Sequence, residues 1–183
     1  MTPMKKLFLS LSAAALLNVA SAQAALPTGS QAPDFQLQGA LAGKPLTFSL
    51  KQALQKGPVV LYFFPAAFSK GCTIEAHAFA EATDDFKKLG ATVIGVTAGN
   101  TDQVDAFSKE ECREKFTVAA DPGAKVAAQY DTLMEMKGKT LSDRTSYVIA
   151  PDGKILLSYT DRNPETHIQK TMDAVKQYAK SHS

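Results

Sequence analysis

Two uninterrupted apolar runs, PVVLYFFP at 58–65 and TVIGVTA at 92–98, most constrain the fold of this chain. Runs so short and continuous suit strands buried on both faces of a sheet. Between them Ile74, Ala78, Ala82, Phe86 and Leu89 recur at helical spacing, with charges on the opposite side. The three segments form a β-α-β unit, and a crossover of that kind makes its two strands parallel.

The rest of the chain builds outward from this unit. Phe35 and Leu37, then Leu46 and Phe48, alternate as strands do, and GALAGKP between them supplies turn residues, so a hairpin precedes the core. After the second run, GNTDQVDAFSKEECREKF opens with capping residues and an acidic first turn. It is expected to be a helix carrying Cys112 near its end. TVAAD predicts a short strand, followed by a turn at Pro122-Gly123 and a short helix through Tyr130. TSYVIAPDGKILLSYT reads as a hairpin closed by Pro-Asp-Gly. A last helix runs from about Pro164 to Lys180, with proline in its first turn and Ile168, Met172, Val175 and Tyr178 along one side. There are no repeats, low-complexity tracts or linkers. The order specifies an α/β chain of thioredoxin-like plan: a mixed central β-sheet with helices on both faces and an N-terminal β-hairpin.

The N-terminus sets the compartment. Lys5 and Lys6 precede an apolar stretch from Leu7 to Ala20, and Ala22-Gln23-Ala24 places small residues where a signal peptidase reads. The stretch is too short and too rich in Ser and Ala to span a bilayer well. Residues 1–24 are therefore expected to be a cleaved signal peptide, with cleavage after Ala22 as the alternative. Residues 25–183 would form one domain, exported to the periplasm and free of the membrane after cleavage. Cleavage removes two of the 20 Lys+Arg and none of the 18 Asp+Glu, leaving 18 of each. That balance argues against nucleic acid, whose binding rests on surplus cations.

The chain has two cysteines. A domain this size does not need a disulfide staple, although an oxidising compartment permits one. Cys72 falls just after the first buried run, in the first turn of the expected helix. Unpaired N–H groups and the positive end of the helix dipole favour a thiolate there, and the thiolate is the form that attacks.

Pro65, Ser69 and Cys72 stand as P-x-x-x-S-x-x-C. The spacing resembles the active-site motif of the peroxiredoxins, and GCTIEA further resembles their bacterioferritin-comigratory-protein, or PrxQ, branch. SDRTSYVIAPDGKI is similar to that family's arginine-bearing strand and hairpin. The likeness spans the chain from PTGSQAPDFQL to the last helix. It implies a thiol peroxidase acting on hydrogen peroxide and organic hydroperoxides without a cofactor or metal. Cys72 matches the peroxidatic cysteine, which becomes a sulfenic acid. Arg144 matches the cation that holds thiolate and peroxide. Ser69 matches a hydroxyl that bonds the peroxide, Pro65 a ring that shields the sulfur, and Glu75 a carboxylate that orients the arginine. Each also has a plainer reading: strand end for Pro65, helix cap for Ser69, dipole compensation for Glu75, surface cation for Arg144.

The sequence departs from the pattern at three positions: Ser69 replaces the usual Thr, Lys70 a common Pro, and His77 a common resolving cysteine. Cys112 resembles the resolving cysteines that some relatives carry in the next helix. A static structural bridge and an uninvolved cysteine are the other readings. The resemblance further implies a dithiol reductant of thioredoxin type, and the chain is expected to act as a monomer or weak homodimer. Cys72 and His77 also invite a metal site, but five helical residues turn about 500°, so the side chains point apart. His167 and His182 are expected at the surface. Two other classes remain open: a thiol–disulfide oxidoreductase, although the chain lacks C-x-x-C, and a non-catalytic binding module.

Overall fold

The computed structural model describes residues 25–182. The expected signal peptide, residues 1–24, lies outside the described residues. Strands β1 (Gln36–Leu41) and β2 (Lys44–Ser49) form the expected antiparallel hairpin. A short helix the sequence reading did not anticipate, α1 (Leu50–Leu54), follows directly, capped by the Ser49 hydroxyl accepting from the Gln52 N–H. The apolar runs become β3 (Val59–Ala66) and β4 (Thr92–Gly99), parallel as expected and linked by α2 (Lys70–Lys88). Then come α3 (Val104–Glu110), β5 (Thr117–Ala120) and α4 (Lys125–Gln129). A second unanticipated element, the small hairpin of β6 (Leu133–Met136) and β7 (Lys139–Ser142), precedes the β8 (Thr145–Ile149) and β9 (Ile155–Thr160) hairpin and α5 (Thr166–Ser181).

Seven strands make one mixed sheet in the order β2-β1-β5-β4-β3-β8-β9. Strand period two divides β3 between two cores. Val60, Tyr62 and Phe64 face a core shared with α2, α3 and α5, while Val59, Leu61 and Phe63 face one shared with α1 and α4. That alternation buries β3 on both sides and explains its unbroken apolar run.

Two expectations are corrected. The inward stripe of α2 is Cys72, Glu75, Ala76, Phe79, Ala80, Thr83 and Phe86, and Ile74 is exposed. The stripe is rotated from the one expected because it includes Glu75 and Thr83, polar residues that an apolar count passes over. Helix α3 is also shorter than expected, so Cys112 lies in the turn beyond it. The N–H groups of Glu111 and Cys112 both reach the Phe107 carbonyl, and Arg113 and Glu114 adopt left-handed backbone. These residues break the helical ladder and let Cys112 and Phe116 turn into the core.

Candidate active site

Cys72 is the third residue of α2 and is 1% exposed. Ser69 occupies the N-cap, and its carbonyl accepts the first helical bond, from the Thr73 N–H at 2.9 Å. Its hydroxyl instead donates backward to the Ala66 carbonyl at 3.0 Å and caps no helical N–H. No Ser69 side-chain bond therefore takes up the donors of the first turn, in which Cys72 lies. Pro65 lies half-buried beyond the last β3–β8 pair, Phe63 with Thr145. There the Ser142 hydroxyl takes over pairing by donating to the Phe64 carbonyl at 2.8 Å.

Arg144 sits immediately before β8 and is 8% exposed, so it is not a surface cation. Its Nη2 lies 3.6 Å from Cys72 Sγ, and its Nη1 donates to Glu75 Oε2. Glu75 is one helical turn past Cys72 on the same face of α2, which is why one guanidinium can bridge the two. Burial pushes the Glu75 carboxyl up to about 8, against a counter-pull from Arg144. The two effects oppose, and burial wins because the carboxyl is wholly removed from solvent.

Gly71 is a site residue the sequence reading missed. A Cβ at this position would lie 2.9 Å from Arg144 Nη2. The glycine thus clears the approach of the guanidinium to the helix start. Its adjacency to Cys72 was the available signal, but its partner lies 73 residues away in sequence.

His167 was expected at the surface and is instead buried completely. Its Nε2 lies 2.8 Å from the Asp161 carbonyl and its Nδ1 2.8 Å from Ser146 Oγ. It also stands 3.8 Å from Glu75 Oε1. A buried histidine at a helix start does not register in an apolar stripe, so sequence periodicity could not find it. His182 is exposed, as expected.

Cys112 is buried in the same core as Cys72, and both are free thiols. Burial first, and Glu111 second, push the Cys112 thiol well above the ordinary cysteine range. Tyr62 feels both thiols, and its own hydroxyl is raised chiefly by burial. The Cys112 turn is tied to α2 by three polar links: His77 to Glu111 at 2.6 Å, Arg113 to Glu81 at 3.1 Å and Lys115 to Asp84 at 3.0 Å. His77 thus has a protein partner. Among the described residues no group of three or more His, Cys, Asp or Glu could hold a metal ion. None of the helices there is long and apolar enough to cross a membrane.

Residues 28–158 match the AhpC/TSA family. The chain is 35% identical over 145 residues to chloroplastic peroxiredoxin Q of Sedum lineare, covering 79% of this chain and 75% of that one. It is 37% identical over 149 residues to peroxiredoxin Q of Arabidopsis thaliana, covering 81% and 66%. It spans 52% of the length of chloroplastic peroxiredoxin Q of Gentiana triflora, at 37% identity over 116 residues. Peroxidoxin BcpB from Mycobacterium tuberculosis superposes with a TM-score of 0.74 at 29% identity, over 82% of this chain and 96% of that one. AhpC of the same organism shares the fold, with a TM-score of 0.71 at 18% identity over 85% and 96%.

Proposed function

The chain belongs to the AhpC/TSA family, the peroxiredoxins, and on that premise we propose that Cys72 is the peroxidatic thiol and Cys112 its resolving partner. The observation that carries this reading is the 3.6 Å approach of Arg144 Nη2 to Cys72 Sγ at the start of α2. A permanent cation and a helix N-terminus converge on one sulfur, which is what a thiolate nucleophile and a departing oxyanion both require.

The chemistry balances as follows. The Cys72 thiolate attacks the terminal oxygen of hydrogen peroxide or an organic hydroperoxide, forming an S–O bond as the O–O bond breaks. Cys72 is thereby oxidised to the sulfenic acid, and hydroxide or alkoxide departs to take up a proton. Arg144 stabilises that anion, and Glu75 aligns Arg144. Ser69, whose proton goes to the Ala66 carbonyl, keeps its hydroxyl oxygen to accept from the peroxide, and Pro65 shields the sulfur. The Cys112 thiolate then attacks the sulfenic sulfur, expelling hydroxide as water and leaving a Cys72–Cys112 disulfide. A thioredoxin-type dithiol reduces it in turn.

Burial keeps Cys112 a neutral thiol in the folded chain. In this scheme the Cys112 turn opens to free the thiolate, and the first turn of α2 unwinds to bring Cys72 to it. Mass spectrometry after one equivalent of hydrogen peroxide tests the scheme. A Cys72–Cys112 disulfide is expected, while sulfenic acid persisting on Cys72 would leave a one-cysteine enzyme. Lys5, Lys6 and Ala22-Gln23-Ala24 support an exported, periplasmic protein cleaved after Ala24, which N-terminal sequencing of the periplasmic form checks.

A further inference from the structure

Among the described residues, Glu75 Oε1 is one of two buried side-chain polar atoms without a hydrogen-bond partner, the other being the Tyr62 hydroxyl. Oε1 faces His167 Nδ1 at 3.8 Å. The orientation of that imidazole is over-determined. A carbonyl can only accept, so the contact with the Asp161 carbonyl places a proton on Nε2. In the neutral ring Nδ1 then carries a lone pair and accepts the Ser146 hydroxyl. A line of side chains from α5, α2 and the start of β8 therefore runs Ser146, His167, Glu75, Arg144, Cys72.

We propose that His167 is a positioning residue for peroxide reduction, holding the Glu75 carboxyl and through it the guanidinium that faces Cys72. The need for such a part is physical. The terminal torsion of a glutamate is broad and roughly two-fold, so one bond to Arg144 does not fix the carboxyl plane. The edge of the His167 ring stands against the free oxygen and fixes it.

The groups facing His167 are Glu75 from α2, Arg144 and Asp143 before β8, Ser146 on β8, Asp161 after β9 and the Tyr159 ring edge-on at 5.0 Å. Burial first keeps the imidazole below its ordinary range, with Arg144 acting in the same sense and Asp161 and Asp143 against it. A neutral ring beside a carboxyl that burial keeps protonated up to about pH 8 defines one arrangement. The Nδ1 lone pair is taken by the Ser146 hydroxyl, so the Oε1 proton meets the negative end of the ring as a dipole contact at 3.8 Å and not as a hydrogen bond, and Oε2 stays an acceptor for Arg144. Such a carboxyl aligns the guanidinium without cancelling its charge, so the whole cation serves the sulfur.

The inference rests on the reading of Cys72 and Arg144 given above, and the experiment separates the two. The reduced protein is mixed with one equivalent of hydrogen peroxide, and loss of the Cys72 thiol is timed from pH 6 to 9. His167→Phe fills the ring volume without nitrogens, removing the polar edge that faces Oε1, and should slow this step about tenfold. It should also flatten the pH profile between 6 and 9. His167→Asn keeps a polar atom near Nδ1 and should retain most of the rate. His167→Gln keeps one near Nε2 and should not. In a Glu75→Gln background the His167→Phe change should add no further slowing. A His167→Phe protein reacting at the wild-type rate, or the same tenfold loss persisting without Glu75, overturns the positioning role. Should His167→Phe not fold, a Gln variant faster than the Asn variant does so. Failure of the wild-type Cys72 to react with peroxide overturns the peroxidase reading instead.

Discussion

Cys72 and Cys112 share one core, yet their surroundings differ in kind. Cys72 stands where three charged or dipolar groups meet: a helix N-terminus, Arg144 and, behind it, Glu75. Cys112 stands in a turn after α3, in apolar packing, beside an acidic neighbour that disfavours its thiolate. In the proposed scheme the first reacts in place and the second after moving. What holds the Cys112 turn fits that division. His77, Glu81 and Asp84 follow one another down one side of α2 and grip Glu111, Arg113 and Lys115. The Arg113 and Lys115 pairs are well exposed, and links of that kind contribute at most about 1 kcal/mol each. These exposed links resist opening little, so the burial of Cys112 and Phe116 is what chiefly holds the turn.

The largest expected effect separates the two thiols outright. Cys72→Ser should abolish peroxide consumption, while Cys112→Ser should consume about one equivalent per chain and stop. Sustained turnover by Cys72→Ser with a thioredoxin-type donor would reverse the assignment. Next in size, Arg144→Met should slow the reaction of Cys72 roughly 10²–10³-fold, as loss of a group aimed at developing charge does elsewhere. It should leave alkylation of unfolded Cys112 untouched. An unchanged rate in stopped-flow measurements would leave Arg144 a structural partner of Glu75 alone.

Gly71→Ala sharpens the same contrast more gently. The new methyl would crowd Arg144 Nη2, which faces Cys72 while Glu75 holds Nη1, so peroxide reduction should fall about tenfold, equivalent to ~1.4 kcal/mol of barrier. Gly71 has no positive φ, and alanine in a helix is favoured over glycine by roughly 0.5–1 kcal/mol. Calorimetry should therefore find the melting temperature unchanged or higher. A variant that loses stability and activity together would place the damage in the helix instead of the guanidinium.

The smallest effect concerns pH. Glu75 is held at about 8 against an ordinary 4.5, so the folded chain keeps a proton that the unfolded chain has released. Stability from this group is complete below about pH 4.5 and is lost as pH rises toward 8. His167, held below its ordinary 6.5, acts oppositely, with stability lost as pH falls. Between about pH 6.5 and 8 the wild-type melting temperature should decline, and Glu75→Gln should decline less. Parallel slopes for the two proteins would mean that Glu75 is already ionised when folded.

Periodicity and turn chemistry determined most of the architecture. The unbroken runs of β3 and β4, the helical repeat between them and the Pro-Asp-Gly turn each follow from local rules that neighbours in sequence enforce. The position of Cys72 at a helix start was legible for the same reason, and with P-x-x-x-S-x-x-C it pointed to the family. Only the tertiary structure decided which face of α2 turns inward, because that face accepts Glu75, which Arg144 reaches from a distant segment, and Thr83, whose hydroxyl donates to the Phe79 carbonyl of its own helix. It placed Cys112 outside α3, since the pull of Cys112 and Phe116 into the core outweighs continuing a charged helix. It also brought Gly71, Arg144 and His167 to one carboxyl and one sulfur. Gly71 lies 73 positions from Arg144 and 96 from His167 in the chain. Their roles depend on distances between side chains across the fold, and no local pattern in a sequence encodes such distances.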